Sequence, residues 1–283
     1  MLASLAVQAM LGIAPIPAPG HAGVPHPPPC EVSGATASVA DVQRAQSACD
    51  VAQARFADLF GGPVPSVRVV LWEDARYRTG IQGGRAVIYW PTGAVLDARG
   101  QGPAEYAADP WLEVLPHEIA HVLLAARFFG TGLKAAAENG GYGTPLPDWV
   151  DEGVAIWAEP PASRRGRLRE ARALITERQS LRAILTGSHP ALSNAQVMAM
   201  RDGGVPPEDP DLFAFYPQAL AVLAFIHDAG GAPATLELVI RLKREDPVAA
   251  VVGLPGLGRS FEDVEDAWRD WLARGSVRSA AAR

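Results

Sequence analysis

The residues most able to do chemistry stand together at His117-Glu118-Ile119-Ala120-His121. On an α-helix, histidines four positions apart project from one face a turn apart, so both imidazoles can bind one Zn²⁺ ion. Glu118 lies beside that face, where a carboxylate can take a proton from an attacking water without becoming a ligand. Two nitrogens do not complete a catalytic zinc site; a third protein ligand is needed, with the fourth position left for water. The segment Leu146-Pro147-Asp148-Trp149-Val150-Asp151-Glu152-Gly153-Val154-Ala155 puts acids in the first turns of another helix, and Glu152 is the candidate third ligand. Asp151 is its rival there, with a capping role beside Asp148 as the simpler explanation. Gly153 lets a neighbouring helix backbone approach closely. The competing reading, a helix with two incidental histidines, implies no bound metal.

The pairing of H-E-x-x-H with the later W-x-x-E-G-x-A segment, Trp149 to Ala155, resembles the gluzincin metallopeptidases. The likeness is to the bacterial peptidase MA-like branch related to thermolysin and the aminopeptidases. It implies a single zinc ion on His117, His121 and Glu152, with Glu118 as general base and then general acid. It also implies a peptide or protein substrate. Phe215-Tyr216-Pro217-Gln218-Ala219-Leu220 resembles the family segment whose tyrosine sets a phenol near the substrate carbonyl, which makes Tyr216 a candidate oxyanion donor. The lead-in from Ala37 to Trp90 resembles the family's N-terminal part, and Glu265 to Leu272 its closing helix. Two departures stand out: thirty residues separate His121 from Glu152, and no G-x-M-E-N segment precedes the zinc helix. Aminopeptidases use that segment to hold a free amine, so the resemblance leaves endopeptidase and exopeptidase action open. A catalytically inactive metal-binding or protein-interaction scaffold of the same fold is the alternative function, and no sequence feature favours it.

These residues need elements to position them. Val39, Val42, Ala45, Cys49, Ala52 and Phe56 recur at helical spacing, so Ala37 to Phe60 is expected to be a helix. Val67 to Trp72 and Arg85 to Trp90 are expected strands. Asp109-Pro110 signals a helix start, and the apolar pattern runs through Leu112, Leu115, Ile119, Val122 and Leu123 to about Phe129. Pro116 would remove the hydrogen bond to the Leu112 carbonyl, so this helix should kink or start afresh there. Gly130 to Pro147 reads as a loop, and Asp148 as the cap of a helix from Trp149 to Ala158. Trp149 and Trp157 are expected to pack that helix against the zinc helix. Further helices are expected over Arg165–Leu185, Ala214–Asp228, Pro233–Lys243 and Phe261–Leu272. With no repeat and no βαβ alternation, the order reads as α+β, mostly α: a small N-terminal sheet packed with a zincin-like helical catalytic domain. Among weaker candidates, His189 reads as a solvated loop histidine and His227 as a C-terminal helix cap. The basic run Arg164 to Arg169 reads as a solvated face paired with Glu170 and Glu177.

Composition bounds the rest. The chain has 283 residues, 48% of them apolar, and a net charge of −6, which excludes general disorder and argues against a dedicated nucleic-acid binder. No charged side chain occurs before Glu31. Leu2 to Ile16 has the length of a signal-peptide apolar region, with small residues before a cleavage point after Ala22. The organisation read from this is a signal peptide at 1–22, a Pro/Gly-rich linker at 23–35, one peptidase domain at 36–275 and a frayed tail at 276–283. Within the domain, the sheet part is 36–108 and the zinc and helical part 109–275. Export to a periplasmic or extracellular location is expected, with a cytoplasmic one as the alternative. Cys30 and Cys49 then either form one bridge or remain two thiols. No later segment approaches 18 uninterrupted apolar residues, so no stable membrane span is expected.

Overall fold

The computed structural model describes residues 30–74, 77–82, 85–98, 109–130, 144–178, 180–187 and 210–274. Residues 1–22, read above as a signal peptide, most of the expected linker, residues 131–143 of the Gly-rich loop, His189 and the tail lie outside the described residues.

The fold is α+β and mostly α, with its sheet at the N-terminal end. Strand β1 (Glu31–Ser33) leads into helix α1 (Val39–Phe60), followed by β2 (Val67–Trp72), β3 (Arg78–Gln82) and β4 (Arg85–Pro91). The strand order is β1-β2-β4-β3. β1 and β4 both run parallel to β2, and β3 closes the far edge antiparallel to β4. β1, α1 and β2 therefore form one βαβ unit, which the sequence did not lead us to expect because a three-residue strand shows no period. At the start of α1, Ser38 Oγ accepts from the Asp41 N–H and the Asp41 carboxylate accepts from the Ser38 N–H, a reciprocal cap. A disulfide joins Cys30, just before β1, to Cys49 within α1.

After the short helix α2 (Gly93–Ala98), Asp109 Oδ1 accepts from the N–H groups of Trp111 and Leu112 at 2.8 and 3.2 Å. It opens a turn of π-helix over Pro110–Val114, and the Leu115 N–H reaches back five residues to the Pro110 carbonyl. Helix α3 (Leu115–Phe128) begins there, with Pro116 in its first turn, where a missing N–H costs nothing. Val114 and Leu115 keep helical dihedrals, so the π-turn carries the chain into α3 past Pro116 as a local distortion. Helix α4 (Asp148–Ala158) has Pro147 at its cap position and no side-chain capping bond. Asp148 is thus the first helical residue rather than the cap, its charge still favourably placed by the helix dipole.

The single helix expected over 165–185 is two: α5 (Pro161–Arg178) and α6 (Leu181–Thr186), the second capped by Ser180 Oγ accepting from the Ala183 N–H. The two helices expected over 214–243 are present as the two halves of α7 (Pro210–Leu242), which are separated at Gly231, whose φ of 64° suits glycine and disrupts helical geometry. Helices α8 (Pro247–Val251) and α9 (Phe261–Arg274) complete the described chain.

One contiguous apolar core runs from Cys30 to Leu272, so sheet and helices share it. Its axis is α7, which packs against α1, α4 and α5. Ala214–Leu242 is long and apolar enough to cross a membrane by length and composition, but 56% of its apolar window is buried inside the fold, as in the core helix of a globular domain. Gly153 of α4 lies against α7: a Cβ there would stand 2.9 Å from the Ala219 carbonyl oxygen and 3.4 Å from the Leu223 Cβ. Gly153→Ala gains about 1 kcal/mol of helix propensity. The backbone contact should outweigh it and lower the unfolding free energy by about 1–3 kcal/mol in a urea titration. A variant as stable as wild type would show that α4 and α7 can separate freely at this point.

Candidate metal centre

Helix α3 sets the His117 and His121 rings one turn apart, their centroids 5.0 Å from each other. Helix α4 brings Glu152 against both: His117 Nε2 lies 3.4 Å from Glu152 Oε2, and His121 Nε2 lies 3.9 Å from Glu152 Oε1. One ligand atom from each of the three residues falls within 4.8 Å of the others. Zinc bonds of about 2.0–2.2 Å in tetrahedral geometry put neighbouring ligand atoms roughly 3.3–3.5 Å apart. The His117 Nε2–Glu152 Oε2 edge already has that length, the His121 Nε2 contact is to the other carboxylate oxygen, and the three-atom set, spanning up to 4.8 Å, tightens on binding an ion.

The other nitrogen of each ring is also engaged. His117 Nδ1 lies 3.1 Å from Glu159 Oε1. Arg167 grips the same carboxylate with two donors, Nε to Oε2 at 3.0 Å and Nη2 to Oε1 at 3.1 Å. His121 Nδ1 faces Asp151 Oδ1 at 3.8 Å, beyond direct hydrogen-bond length. Asp151 Oδ2 accepts from the Thr144 hydroxyl, whose oxygen in turn accepts from the Leu146 N–H at 3.2 Å. Both rings therefore turn Nε2 toward Glu152 and Nδ1 toward a second carboxylate, the arrangement that fixes the tautomer and direction of a ligating histidine. The donor set, two imidazoles and a carboxylate with a supporting carboxylate behind each ring, fits zinc.

The sequence reading is corrected at several of these positions. Asp151 is fully buried, with Thr144 and His121 as its partners, and is not a surface cap. Glu159 was missed, although a signal was available: an acid just past the C-terminal end of a helix opposes the dipole and needs a specific partner. Arg167 turns inward to Glu159 and the Arg164 guanidinium lies 5.0 Å from the Trp157 ring centre, so the basic run is not simply a solvated face. His227 lies in the last turn before the break at Gly231, as expected, and its Nε2 is 3.3 Å from the Asp58 carbonyl. Trp149 donates to the Leu185 carbonyl of α6, and Trp157 lies 4.8 Å from the His227 ring of α7. These contacts brace α4 toward α6 and α7.

Glu118, in the first turn of α3, is half-buried and close enough for its charge to act on both histidines. Tyr216, also half-buried, stands beside Arg167, whose guanidinium carbon is 6.0 Å from its ring centre. It therefore neighbours the Glu159 clamp.

Electrostatics match this geometry. Burial would lower the His117 imidazole, but Glu152, Glu159 and Glu118 outweigh it and raise the group to about 10. His121 is raised in the same way: burial opposes, while Asp151, Glu152 and Glu118 prevail over the His117 charge. Burial pushes the Asp151 carboxyl up. It pushes Glu159 up as well, but His117 and Arg167 outweigh it and hold that carboxyl below its ordinary range.

Comparison of the chain with protein families, with curated proteins and with solved structures found no match.

A metal ion needs the Nε2 lone pair of His117, which in the metal-free protein carries a proton up to about pH 10. Binding must therefore release protons, and zinc affinity should rise with pH. Chelator competition between about pH 6.5 and about pH 9 should show that rise, and calorimetry in buffers of different ionisation enthalpy should show about one proton or more released per ion. An affinity independent of pH would contradict the protonation described here.

Proposed function

We propose that this chain is a zinc-dependent metallopeptidase of the gluzincin type, hydrolysing peptide bonds of a peptide or protein substrate. One observation carries the reading: His117, His121 and Glu152 converge from two helices while each histidine turns its second nitrogen to a buried carboxylate. Buried carboxylates are costly and add little that apolar packing could not supply, so a charge-bearing function explains them better.

When bound, zinc supplies Lewis acidity, acidifying a water and polarising a carbonyl oxygen. His117, His121 and Glu152 would hold it, with Glu159 and Asp151 fixing the two rings. Glu118 takes one proton from the attacking water, whose oxygen bonds to the carbonyl carbon. It then delivers that proton to the amine nitrogen as the C–N bond breaks. Tyr216 donates a hydrogen bond to the oxyanion that develops on the former carbonyl. The Cys30–Cys49 bridge supports an exported protein, since such bridges persist in oxidising compartments.

The test is metal analysis with peptide-library cleavage on the wild type and on Glu118→Gln. The wild type should carry about one zinc per chain. The variant should keep the zinc and lose cleavage by about 10²–10⁴-fold. A zinc-loaded wild type that cleaves nothing would leave the inactive scaffold as the better description, and equal cleavage by both would remove Glu118 from its role.

A further inference from the structure

We propose that Arg167 is a positioning residue: by gripping Glu159 with two parallel N–H donors, it sets the direction in which His117 presents Nε2 to a metal ion. This inference rests on the zinc reading above. The linkage is continuous. Arg167 Nε and Nη2 donate to Glu159 Oε2 and Oε1 at 3.0 and 3.1 Å, and Oε1 also meets His117 Nδ1 at 3.1 Å. Both the last torsion of a glutamate and the ring torsion of a histidine are soft, so neither plane is fixed by its own backbone.

Glu159 also lies just beyond α4, outside the regular helix, and only 4% of it is exposed. Water is thus not at hand to hold its carboxylate in place. The planar guanidinium supplies what is missing: it fixes the carboxylate plane, which fixes the imidazole plane, which aims Nε2 at Glu152. The carboxylate behind His121 is held by a hydroxyl. That carboxylate, of Asp151, stands 3.8 Å from the ring nitrogen, and the hydroxyl is that of Thr144. Arg167 comes from α5, so the clamp also tells the zinc helix where α5 is. A lysine would supply the charge through a single contact and lose the fork.

The test measures zinc affinity by chelator competition on the full chain. It compares wild type with Arg167→Gln, Arg167→Lys, Glu159→Gln, the Arg167→Gln/Glu159→Gln double variant and Arg169→Gln. The last changes an exposed arginine of the same helix and serves as a control. Absorption of the cobalt-substituted proteins reports ligand geometry alongside.

Glu159→Gln should weaken zinc binding about 10–100-fold, and Arg167→Gln about tenfold. Arg167→Lys should lose nearly as much as Arg167→Gln, with the cobalt bands shifted in both. The double variant should be no weaker than Glu159→Gln alone, because both residues act through one link. Arg169→Gln should match wild type. If Arg167→Gln fails to fold, Arg167→Lys carries the comparison. Full affinity in Arg167→Lys, or losses that add in the double variant, would overturn the clamp while leaving the zinc reading intact. A wild type that binds no zinc would overturn both.

Discussion

Three carboxylates, Asp151, Glu152 and Glu159, are buried along one short helix and the residue that follows it. An ionised carboxylate withdrawn from water is costly unless positive charge and hydrogen bonds meet it. What meets them here is drawn from everywhere around α4: two histidines from α3, an arginine from α5 and a threonine from the segment before α4. That requirement explains why both histidines are driven toward the protonated state in the metal-free protein, since their protons are the nearest counter-charge. A divalent cation would replace those protons and meet the same need at a single point.

The apolar framework is arranged so that α4 can be buried on all sides. From Trp149 to Ala158 every residue of the helix is buried. α3 flanks it, α7 runs close enough that only a glycine fits at position 153, and the Trp149 indole is anchored on α6. The sheet contributes less directly. It carries α1, and α1 in turn packs on α3, so the disulfide at Cys49 steadies the layer behind α3.

Much of the fold was legible in the sequence where the signal was local. The four-residue interval of H-E-x-x-H, the apolar stripe of α1, the β-branched runs of β2 and β4 and the proline in the first turn of α3 all lie within a few residues of their cause. What escaped depended on distance. β1 is too short to carry a pattern, and β3 has no strand-like alternation of its own. Glu159 becomes interpretable only when His117, forty-two positions earlier, is seen beside it. Asp151 shows the competition most clearly. Local rules for helix starts explained it adequately, and only complete burial together with the Thr144 and His121 contacts reveals that tertiary packing had assigned it elsewhere. For His117, His121 and Glu152, spacing and helix placement led to the same group that the structure brings together.

The Glu159 bridge also limits how such a chain can drift through evolution. Changing Glu159 alone leaves His117 and Arg167 facing each other without the carboxylate they share, so neutral paths at this position need paired or triple replacement. Arg165 and Arg169 point to solvent on the same helix and carry no such debt. Across related chains, variation along α5 should therefore be lopsided, free at these exposed arginines and correlated with α3 and α4 at Arg167.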